Sequence, residues 1–441
     1  MLEQLEKKSI LVLGFGREGQ DTFLFLRKLF PNKILGIADK KDLKLQTVKF
    51  KNIKTHFGKN YLASLKEYDT VIKSPGIPFK LLPESQLKKV ITQTDIFFDN
   101  CPGKIIGITG TKGKSTTAAL IYRILKTGGV RAHLAGNIGK PVLRTLFSAA
   151  KKDVYVYELS SHQLYNLKKS PHIAVFLNVY PEHLDYYKNL KEYAAAKANI
   201  TIHQKKGDYL IFNSENKIVK EIAKKSKARK ISIRGKYYAL DINAAREVGK
   251  IFYIQKKFIS KAIKEFKTLS HRLEFVGRFR GIEFYNDSLS TIPETLIEAL
   301  DFLGNSVQTL ILGGFDRGLD FKNLIEKILG SRIKTLIFFP TTGERIFKEL
   351  QSASSSLPQK QIPDHFFVKN MEVAVRIAYT KTKNGKICLL SPASPSFGLF
   401  QNYRDRGNQF KKYVKKYGII NKIPRYDNDT PKNNLWQIKR K

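Results

Sequence analysis

The chain has 441 residues, a formal net charge of +41 at pH 7 and a hydrophobic content of 42%. Its length predicts two or three domains, and the hydrophobic content suffices for several cores. Because residues 1–8 are charged and no apolar run approaches the ~18–20 residues of a membrane span, we expect a soluble, cytoplasmic protein without a membrane partner.

The cysteines and the positive charge further restrict the functional classes to which the protein can belong. Cys101 and Cys388 lie far apart in the sequence, which argues against a cysteine-rich zinc site and provides no disulfide framework. The charge has two interpretations: a field that binds nucleic acid or attracts anionic substrates, or lysines spread over every solvated surface. We favour the second, because the excess is distributed along the chain. A non-catalytic nucleic-acid-binding protein remains the hypothesis from a different class.

The first predicted elements are a strand, a glycine turn, a helix and a second strand. The apolar run 10–13 leads into Gly14, Gly16 and Gly19, and Asp39 closes the next strand. This order matches a dinucleotide-binding fingerprint, in which the turn holds a diphosphate and the carboxylate accepts a ribose hydroxyl. A NAD-dependent enzyme is therefore an alternative at this point. However, any ligand with a diphosphate and a ribose presents the same groups.

A further strand, 70–72, precedes a turn that contains Ser74, Pro75 and Gly76. Serine and glycine in this turn are placed to offer hydrogen-bond donors at the carboxyl end of the strand. These elements together predict a small α/β domain that covers residues 1–99.

A glycine-rich loop follows the β-branched strand 105–109 and precedes an apolar-periodic helix. The loop is Gly110-Thr111-Lys112-Gly113-Lys114-Ser115-Thr116. Its glycines let successive N–H groups point into one concavity at the helix N-terminus, where phosphates bind. Lys114 would reach the β- and γ-phosphates of ATP, and the hydroxyl of Ser115 would bind magnesium. The spacing is one residue shorter than the general phosphate-loop pattern when it is counted from Gly110.

Polar side chains follow two more buried-type strands. The strand 154–157 delivers Glu158, Ser160 and Gln163, and the strand 173–177 leads to Glu182 and His183. Acidic residues at strand ends usually serve a metal or a nucleophile. Asn137 lies in a glycine-flanked turn, and Lys197 lies in a helical segment of small residues. A lone helix lysine is ordinarily solvated. We predict that this second domain covers residues 100–268.

The last segment, 269–441, again alternates strands with helical stretches and predicts a third α/β domain. Its polar motifs are His271-Arg272, Asn286-Asp287-Ser288, Gly313-Gly314 with Arg317, and Ser391 to Gly407, which includes Ser396 and Tyr403.

These motifs, taken in order over nearly the whole chain, resemble the Mur ligase family. The resemblance implies an α/β fold with a Rossmann-like N-terminal domain, a central P-loop ATPase-type parallel-sheet domain and a C-terminal Rossmann-like domain. It also implies ATP-dependent addition of glutamate, D-glutamate by default, to UDP-N-acetylmuramoyl-L-alanine through an acyl phosphate, in peptidoglycan precursor synthesis. The first domain would then hold uridine diphosphate instead of NAD. We expect a monomer without a nucleic-acid partner.

The resemblance also implies residue roles. Ser115 and Glu158 would bind a first magnesium ion, and His183 would bind a second together with Lys197, modified by carbon dioxide to a carbamate. The catalytic residues would be Lys114, Glu158, His183 and Lys197. The nucleotide would contact residues 110–116, Arg272 and Asp287. The substrate positions would be Gly14, Gly16, Gly19, Asp39, Ser74, Pro75, Gly76, Asn137, Ser160, Gln163, Arg317, Ser396 and Tyr403.

Two motifs depart from the family pattern. Leu289 replaces a lysine that would pair with the carboxylate of the amino acid or with the diphosphate of the ligand. Loss of a charge-assisted contact of ~1.5–3 kcal/mol would redirect recognition, so L-glutamate or another acceptor is an alternative. On the adenine side, Tyr237, Tyr238 and Asp241 replace the usual histidine and asparagines, and a tyrosine would then stack on the base.

Overall fold

A computed structural model describes residues 2–43, 50–136, 142–183, 186–235, 238–266, 269–355 and 361–420. The structure separates into two compact units, Met1–Phe266 and Lys267–Lys441. The first unit contains two parallel sheets, and the second contains one mostly parallel sheet. The predicted α/β class is confirmed, and each predicted domain contains one of these sheets. The predicted boundaries at 99/100 and 268/269 remain predictions.

The first sheet has the strand order β3-β2-β1-β4-β5, and its paired strands are parallel. Its strands are β1 (Ile10–Leu13), β2 (Leu35–Asp39), β3 (Ile53–Phe57), β4 (Thr70–Lys73) and β5 (Val90–Thr92). Every residue of β1 is buried, as expected for a parallel strand covered on both faces. The helix α2 (Arg17–Leu29) that follows this strand begins inside the predicted glycine motif, so Gly19 lies in its first turn.

The second sheet has the order β11-β10-β9-β6-β8-β7 and is also parallel. Its strands are β6 (Lys104–Thr109), β7 (Ala132–Gly136), β8 (Val154–Glu158), β9 (Ile173–Phe176), β10 (Tyr209–Asn213) and β11 (Arg229–Ile233). Strand β6 lies in the interior of the sheet between β8 and β9. Their carboxyl ends therefore meet at the same edge, where ligands bind in open α/β sheets.

The sheet of the second unit has the order β12-β13-β17-β14-β15-β16. Its strands are β12 (Glu274–Phe279), β13 (Ile282–Asn286), β14 (Val307–Gly313), β15 (Thr335–Phe339), β16 (Asp364–Phe367) and β17 (Ile387–Leu390). The pair β12–β13 is antiparallel, and the other pairs are parallel. The motifs after β13, β14 and β17 consequently share one edge.

The helices cover these sheets. In the first unit they are α1 (Leu2–Glu6), α2 (Arg17–Leu29), α3 (Gln93–Asn100), α4 (Lys114–Thr127), α5 (Ser161–Leu164), α6 (Leu190–Ala198), α7 (Lys217–Lys224), α8 (Tyr238–Ile251) and α9 (Lys256–Lys264). In the second unit they are α10 (Pro293–Leu303), α11 (Lys322–Leu329), α12 (Thr342–Ser355), α13 (Met371–Lys381) and α14 (Tyr403–Ile419). None of the helices in the described ranges combines the length and apolar composition that a membrane crossing needs.

One hydrophobic core runs from the first sheet to the second, which explains why residues 2–266 form one unit. Phe97 of α3 packs edge-on against Tyr155 and Tyr157 of β8, with ring centroids 5.1 and 5.6 Å apart. The two cysteines are free, as predicted.

A substitution at Gly19 tests the close packing of the glycine turn that follows β1. A Cβ atom at Gly19 would lie 1.9 Å from the Gly14 carbonyl oxygen, so Gly19→Ala must displace backbone. We expect this substitution to lower the free energy of unfolding by about 1–3 kcal/mol, measured by urea denaturation. Gly16→Ala is the matched control, because a Cβ there meets no atom within 4 Å. Equal stability of the two variants would contradict this packing.

Candidate functional site

The predicted phosphate loop joins β6 to α4 at the carboxyl edge of the second sheet. Gly113 has a φ of +83°, a conformation that favours glycine. A Cβ atom there would also lie 2.5 Å from Oδ1 of Asp241 and 3.0 Å from Cδ1 of Leu177. Glycine at position 113 is therefore required by both the turn and its neighbours, and α4 begins directly after it at Lys114.

Two lysines converge on one carbonyl of this loop. Lys114 Nζ donates to the carbonyl oxygens of Gly110 and Thr111, both at 2.8 Å, and Lys197 Nζ donates to the same Gly110 oxygen at 2.8 Å. Lys197 is only 1% exposed, so it is not a solvated helix lysine. Burial first, and then the charge of Lys114, lower the pKa of Lys197 well below its ordinary value. The amine is consequently biased toward its neutral form.

The carboxylate of Glu182 forms an ion pair with Lys112 of the phosphate loop. Lys112 Nζ lies 2.9 Å from Oε1 of Glu182, and His183 Nε2 lies 3.8 Å from Oε2 of the same carboxylate. Burial alone would raise the pKa of Glu182, but Lys112, His183 and Lys114 outweigh it and hold the pKa at about 2. Burial lowers the pKa of His183, which favours the neutral imidazole that can bind a metal.

Backbone and hydroxyl contacts hold the loop in place. The Thr111 N–H donates to the Asn178 carbonyl at 2.9 Å, and the Lys112 N–H donates to Oδ1 of Asn178 at 2.8 Å. The Thr111 hydroxyl lies 3.2 Å from the Tyr193 hydroxyl on α6. Lys197 Nζ lies 4.7 Å from the ring centroid of the same tyrosine. Helix α6 thus positions both the loop and Lys197.

Glu158 ends β8 as predicted, and its Oε2 is buried without a hydrogen-bond partner. An orphaned carboxylate oxygen beside a phosphate loop is suited to a hard cation, because oxygen ligands are those that magnesium prefers. Among the described residues no group of three or more His, Cys, Asp or Glu side chains has the geometry of a metal site. The predicted ligand set contains only two of these types, Glu158 and His183, beside Ser115 and a modified Lys197.

The first glycine turn is held by the residues predicted to bind substrate. The Ser74 hydroxyl donates to the Gly14 carbonyl at 2.7 Å. Asp39 accepts from the Phe15 N–H at 2.8 Å with Oδ2 and from the Lys41 N–H at 2.9 Å with Oδ1. Asp39 therefore has a structural role in the turn, in addition to the predicted ribose contact. Added Cβ atoms at Gly16 and Gly76 meet nothing within 4 Å, so both face open space.

Ser160 and Gln163 form a capping box at the start of α5. Gln163 Oε1 accepts from the Ser160 N–H at 2.9 Å and from its hydroxyl at 3.0 Å, while Gln163 Nε2 donates to Oε1 of Glu18 at 2.6 Å. Burial raises the pKa of Glu18 to about 7, although the bond from Gln163 acts in the opposite direction. Lys73, which is 1% exposed, donates to the Ser74 and Ile77 carbonyls at 3.0 and 2.8 Å.

Two of the departures on the adenine side, Tyr238 and Asp241, lie on α8. The carboxylate of Asp241 accepts from the Thr117 hydroxyl at 2.7 Å, near the N-terminus of α4, where a negative charge is stabilising. Tyr238 stacks on Phe266, with ring centroids 6.3 Å apart. The predicted residues Asn137 and Tyr237 lie outside the described residues.

In the second unit, Asp287 lies at the carboxyl end of β13 and is 3% exposed. It accepts from the Leu273 N–H at 3.0 Å and from the Ser391 hydroxyl at 2.9 Å. These bonds bring the loop that contains Arg272 and the motif after β17 to the same place. The half-buried Leu289 donates through its backbone to the His271 carbonyl at 3.0 Å.

The other predicted residues of this unit lie on neighbouring loops. Ser396 is buried, and the carbonyl of Tyr403 accepts from the Ser288 hydroxyl at 2.8 Å. Arg317 is exposed, with its guanidinium 5.7 Å from the ring centroid of Phe397. The structure thus groups Asp287, Ser396 and Tyr403 around connected loops, with Arg317 beside them on the surface.

A buried arginine joins these loops. Arg406 Nε donates to the Ser288 hydroxyl at 3.0 Å, Nη2 donates to the Ser288 carbonyl at 2.8 Å, and Nη1 donates to the Ser394 carbonyl at 3.1 Å. Burial lowers the pKa of Arg406 to about 9, with the charge of Asp287 acting in the opposite direction.

Sequence analysis did not single out Arg406, Glu18 or Lys73. Each lies within or beside a recognised motif, so its neighbours were the available signal.

Known proteins with similar sequences and folds were identified. Residues 108–281 match the Mur ligase middle domain. The UDP-N-acetylmuramoylalanine–D-glutamate ligase of Acetivibrio thermocellus is 32% identical over 460 residues, covering 93% of this chain and 97% of that protein. The ligase of the same name from Clostridium acetobutylicum is 33% identical, with 93% and 97% covered. The structure of a MurF ligase from Thermotoga maritima in complex with ADP has a TM-score of 0.57 at 15% identity, covering 92% of this chain and 95% of that one.

Glu182 generates a pH-dependent stability prediction. Because its pKa is lowered on folding, the stability that it contributes is present above the ordinary value of 4.5 and is lost as the pH falls toward 2. We expect Glu182→Gln to lower the free energy of unfolding at pH 7 by at most about 3 kcal/mol, with a smaller difference in acid. Thermal melts from pH 7 to pH 3 measure this. The exposed pair Glu221–Lys224 supplies the control Glu221→Gln, and an equal effect of both variants would contradict the prediction.

Proposed function

The chain belongs to the Mur ligase family, and from this membership we propose that it joins D-glutamate to UDP-N-acetylmuramoyl-L-alanine. It is an ATP-dependent ligase, and the proposed reaction forms an amide in peptidoglycan precursor synthesis. The observation that carries the proposal is the buried amine of Lys197, which extends from α6 and donates a hydrogen bond to the phosphate loop. A loop that only bound nucleotide would not need a buried lysine at the Gly110 carbonyl in addition to Lys114.

The phosphate loop would hold ATP through the N–H groups and side chains of residues 110–116. Lys114 Nζ now bonds two loop carbonyls, and it would exchange them for β- and γ-phosphate oxygens. Positioning and charge neutralisation supply most of the catalysis in phosphoryl transfer. We also assign Arg272 and Asp287 to the nucleotide, as the family resemblance implies.

Glu158 and Ser115 would hold one magnesium ion, and His183 would contribute to a second site. The fit rests on the buried Glu158 oxygen without a partner and on the lowered pKa of His183. When bound, magnesium offsets the negative charge of phosphate oxygens. The chain's own residues would orient these ligands: β8 fixes Glu158, and the Lys112–Glu182 pair fixes the residue that precedes His183.

Lys197 would carry a carbamate. Its lowered pKa favours the neutral amine, which is the form that attacks the carbon of carbon dioxide. The new N–C bond forms as one C=O π bond of carbon dioxide opens onto its oxygen, and the nitrogen releases one proton to solvent. The neutral amine thereby becomes an anion at a position where an unmodified lysine would otherwise carry a positive charge. Because Lys114 and Lys112 both lower the pKa of Lys197, this change would replace repulsion by attraction.

The acceptor would lie along the carboxyl edges of the first two sheets. Gly14, Gly16, Gly19, Asp39 and the turn Ser74-Pro75-Gly76 would receive the uridine diphosphate end, and Asn137, Ser160 and Gln163 would contact the part nearer the carboxylate. That carboxylate would attack the γ-phosphorus of ATP, and ADP would leave. The amine of glutamate would then attack the acyl carbon, and phosphate would leave.

Arg317, Ser396 and Tyr403 are assigned to the glutamate or nucleotide end. Leu289 makes the enantiomer the open part of this proposal, since the lysine of the family pattern is absent there. A monomeric state and a cytoplasmic location remain predictions.

The reaction is tested with the full chain, ATP, magnesium and UDP-N-acetylmuramoyl-L-alanine. We expect glutamate to stimulate phosphate release, with a higher rate for D-glutamate than for L-glutamate. Lys114→Ala should abolish release, while Lys126→Ala, on the exposed side of the same helix, should retain it. If neither enantiomer stimulates release, the proposed reaction is wrong. A higher rate with L-glutamate would reverse only the stereochemical assignment.

Lys197→Ala tests the carbamate. Removal of an anion that positions the reacting charges should lower kcat at least about 100-fold. Acetate or formate should restore part of the activity, because a small carboxylate can occupy the position of the carbamate. Lys191→Ala, an exposed position on α6, is the control and should behave as wild type. Retained activity of Lys197→Ala would refute the role.

A further inference from the structure

A single carboxylate connects three motifs that belong to different strands. Glu18 is the second residue of α2, in the first glycine turn, and its Oε1 accepts from Gln163 Nε2 of α5 at 2.6 Å. The contact therefore joins the first sheet to the second. Resting on the proposed function, we propose that Glu18 is a positioning residue for the sugar-nucleotide substrate, and that it acts by holding the side-chain amide of Gln163.

The orientation of the Gln163 amide follows from its partners. The Ser160 backbone N–H can only donate, so the amide oxygen of Gln163 must face it, at 2.9 Å. The amide nitrogen then has to point away from Ser160, where Glu18 accepts its hydrogen bond. Without an acceptor at this position, the amide would have no charge-assisted bond to fix it. The Gln163 side chain would keep the bonds of its oxygen to Ser160 but would lose the bond that its nitrogen donates.

Glu18 also faces the substrate turn after β4. Lys73 interacts electrostatically with Glu18, and its Nζ donates to the carbonyls of Ser74 and Ile77. The other charged or titratable groups that face Glu18 are Arg17 and Asp21 on its own helix and Tyr157 on β8. A negative charge at Glu18 is thus placed between the turn that would hold the diphosphate and the residues near the reacting carboxylate.

Burial makes the negative charge of Glu18 unfavourable for folding. A purely structural role would therefore not require the charge, whereas a functional role could. Burial raises the pKa of Glu18 to about 7, so the folded chain binds this proton more tightly than the unfolded chain does. The stability associated with Glu18 is therefore greatest below pH 4.5 and is lost as the pH rises through 7. A residue that served stability alone would be better neutral at pH 8.

The test is a double-mutant cycle in the full chain with Glu18→Ala, Gln163→Ala and the double variant. We expect each single substitution to raise KM for UDP-N-acetylmuramoyl-L-alanine about tenfold, with KM for ATP changed less than twofold. The double variant should be no worse than Gln163→Ala alone, because Glu18 acts through Gln163. Glu84→Ala, at an exposed position, is the control and should leave KM unchanged.

The proposal is overturned if the KM increases of the two single variants multiply in the double variant. It is also overturned if Glu18→Ala leaves KM unchanged. A second variant separates packing from positioning: Glu18→Gln should melt at the same or a higher temperature than wild type at pH 8, yet raise KM for the sugar nucleotide. A lowered melting temperature with reduced kcat and normal KM would instead show a structural role. If the wild type does not turn over the sugar nucleotide at all, the proposed function itself fails, whereas an active wild type with an unaffected Glu18→Ala rejects only this inference.

Discussion

The carbonyl oxygen of Gly110 is the acceptor on which the site of the first unit depends. It receives bonds from Lys114 of α4 and Lys197 of α6, so the loop and the two helices are fixed by one atom. Burial, and then the nearby ammonium group of Lys114, oppose a proton on Lys197, and the lowered pKa of Lys197 expresses this conflict. Anionic groups, whether phosphate or carbamate, would relieve it. The arrangement is therefore prepared for negative charge before any ligand enters.

Much of the fold could be predicted from local sequence. Parallel strands buried on both faces are continuous apolar runs, as in 10–13 and 154–157. Because parallel strands end at the same edge, the motifs after them could also be placed together without a structure. Strand order and helix packing could not be predicted in this way, since they depend on contacts between residues distant in sequence.

The site was predicted less completely, for the same reason. Lys197 lies among small residues that would suit a solvated helix surface equally well, and only tertiary packing shows that it is buried. The ribose contact of Asp39 stays a prediction, but the bonds that its oxygens accept from the backbone of the turn could not be predicted from the sequence. Glu18 belongs to the predicted glycine motif, but its partner lies 145 residues away. No local pattern in the sequence indicates such a pair.

Arg406 gives the second unit a different property. Its guanidinium holds the backbone carbonyls of Ser288 and Ser394, so it fixes the main chain of both loops without any contribution from the Leu289 side chain. Leu289, directly after Ser288, can therefore differ from the family lysine without loss of the loop's shape. In such a scaffold the side chains that recognise a ligand can change one at a time, because a buried cation holds the backbone that carries them.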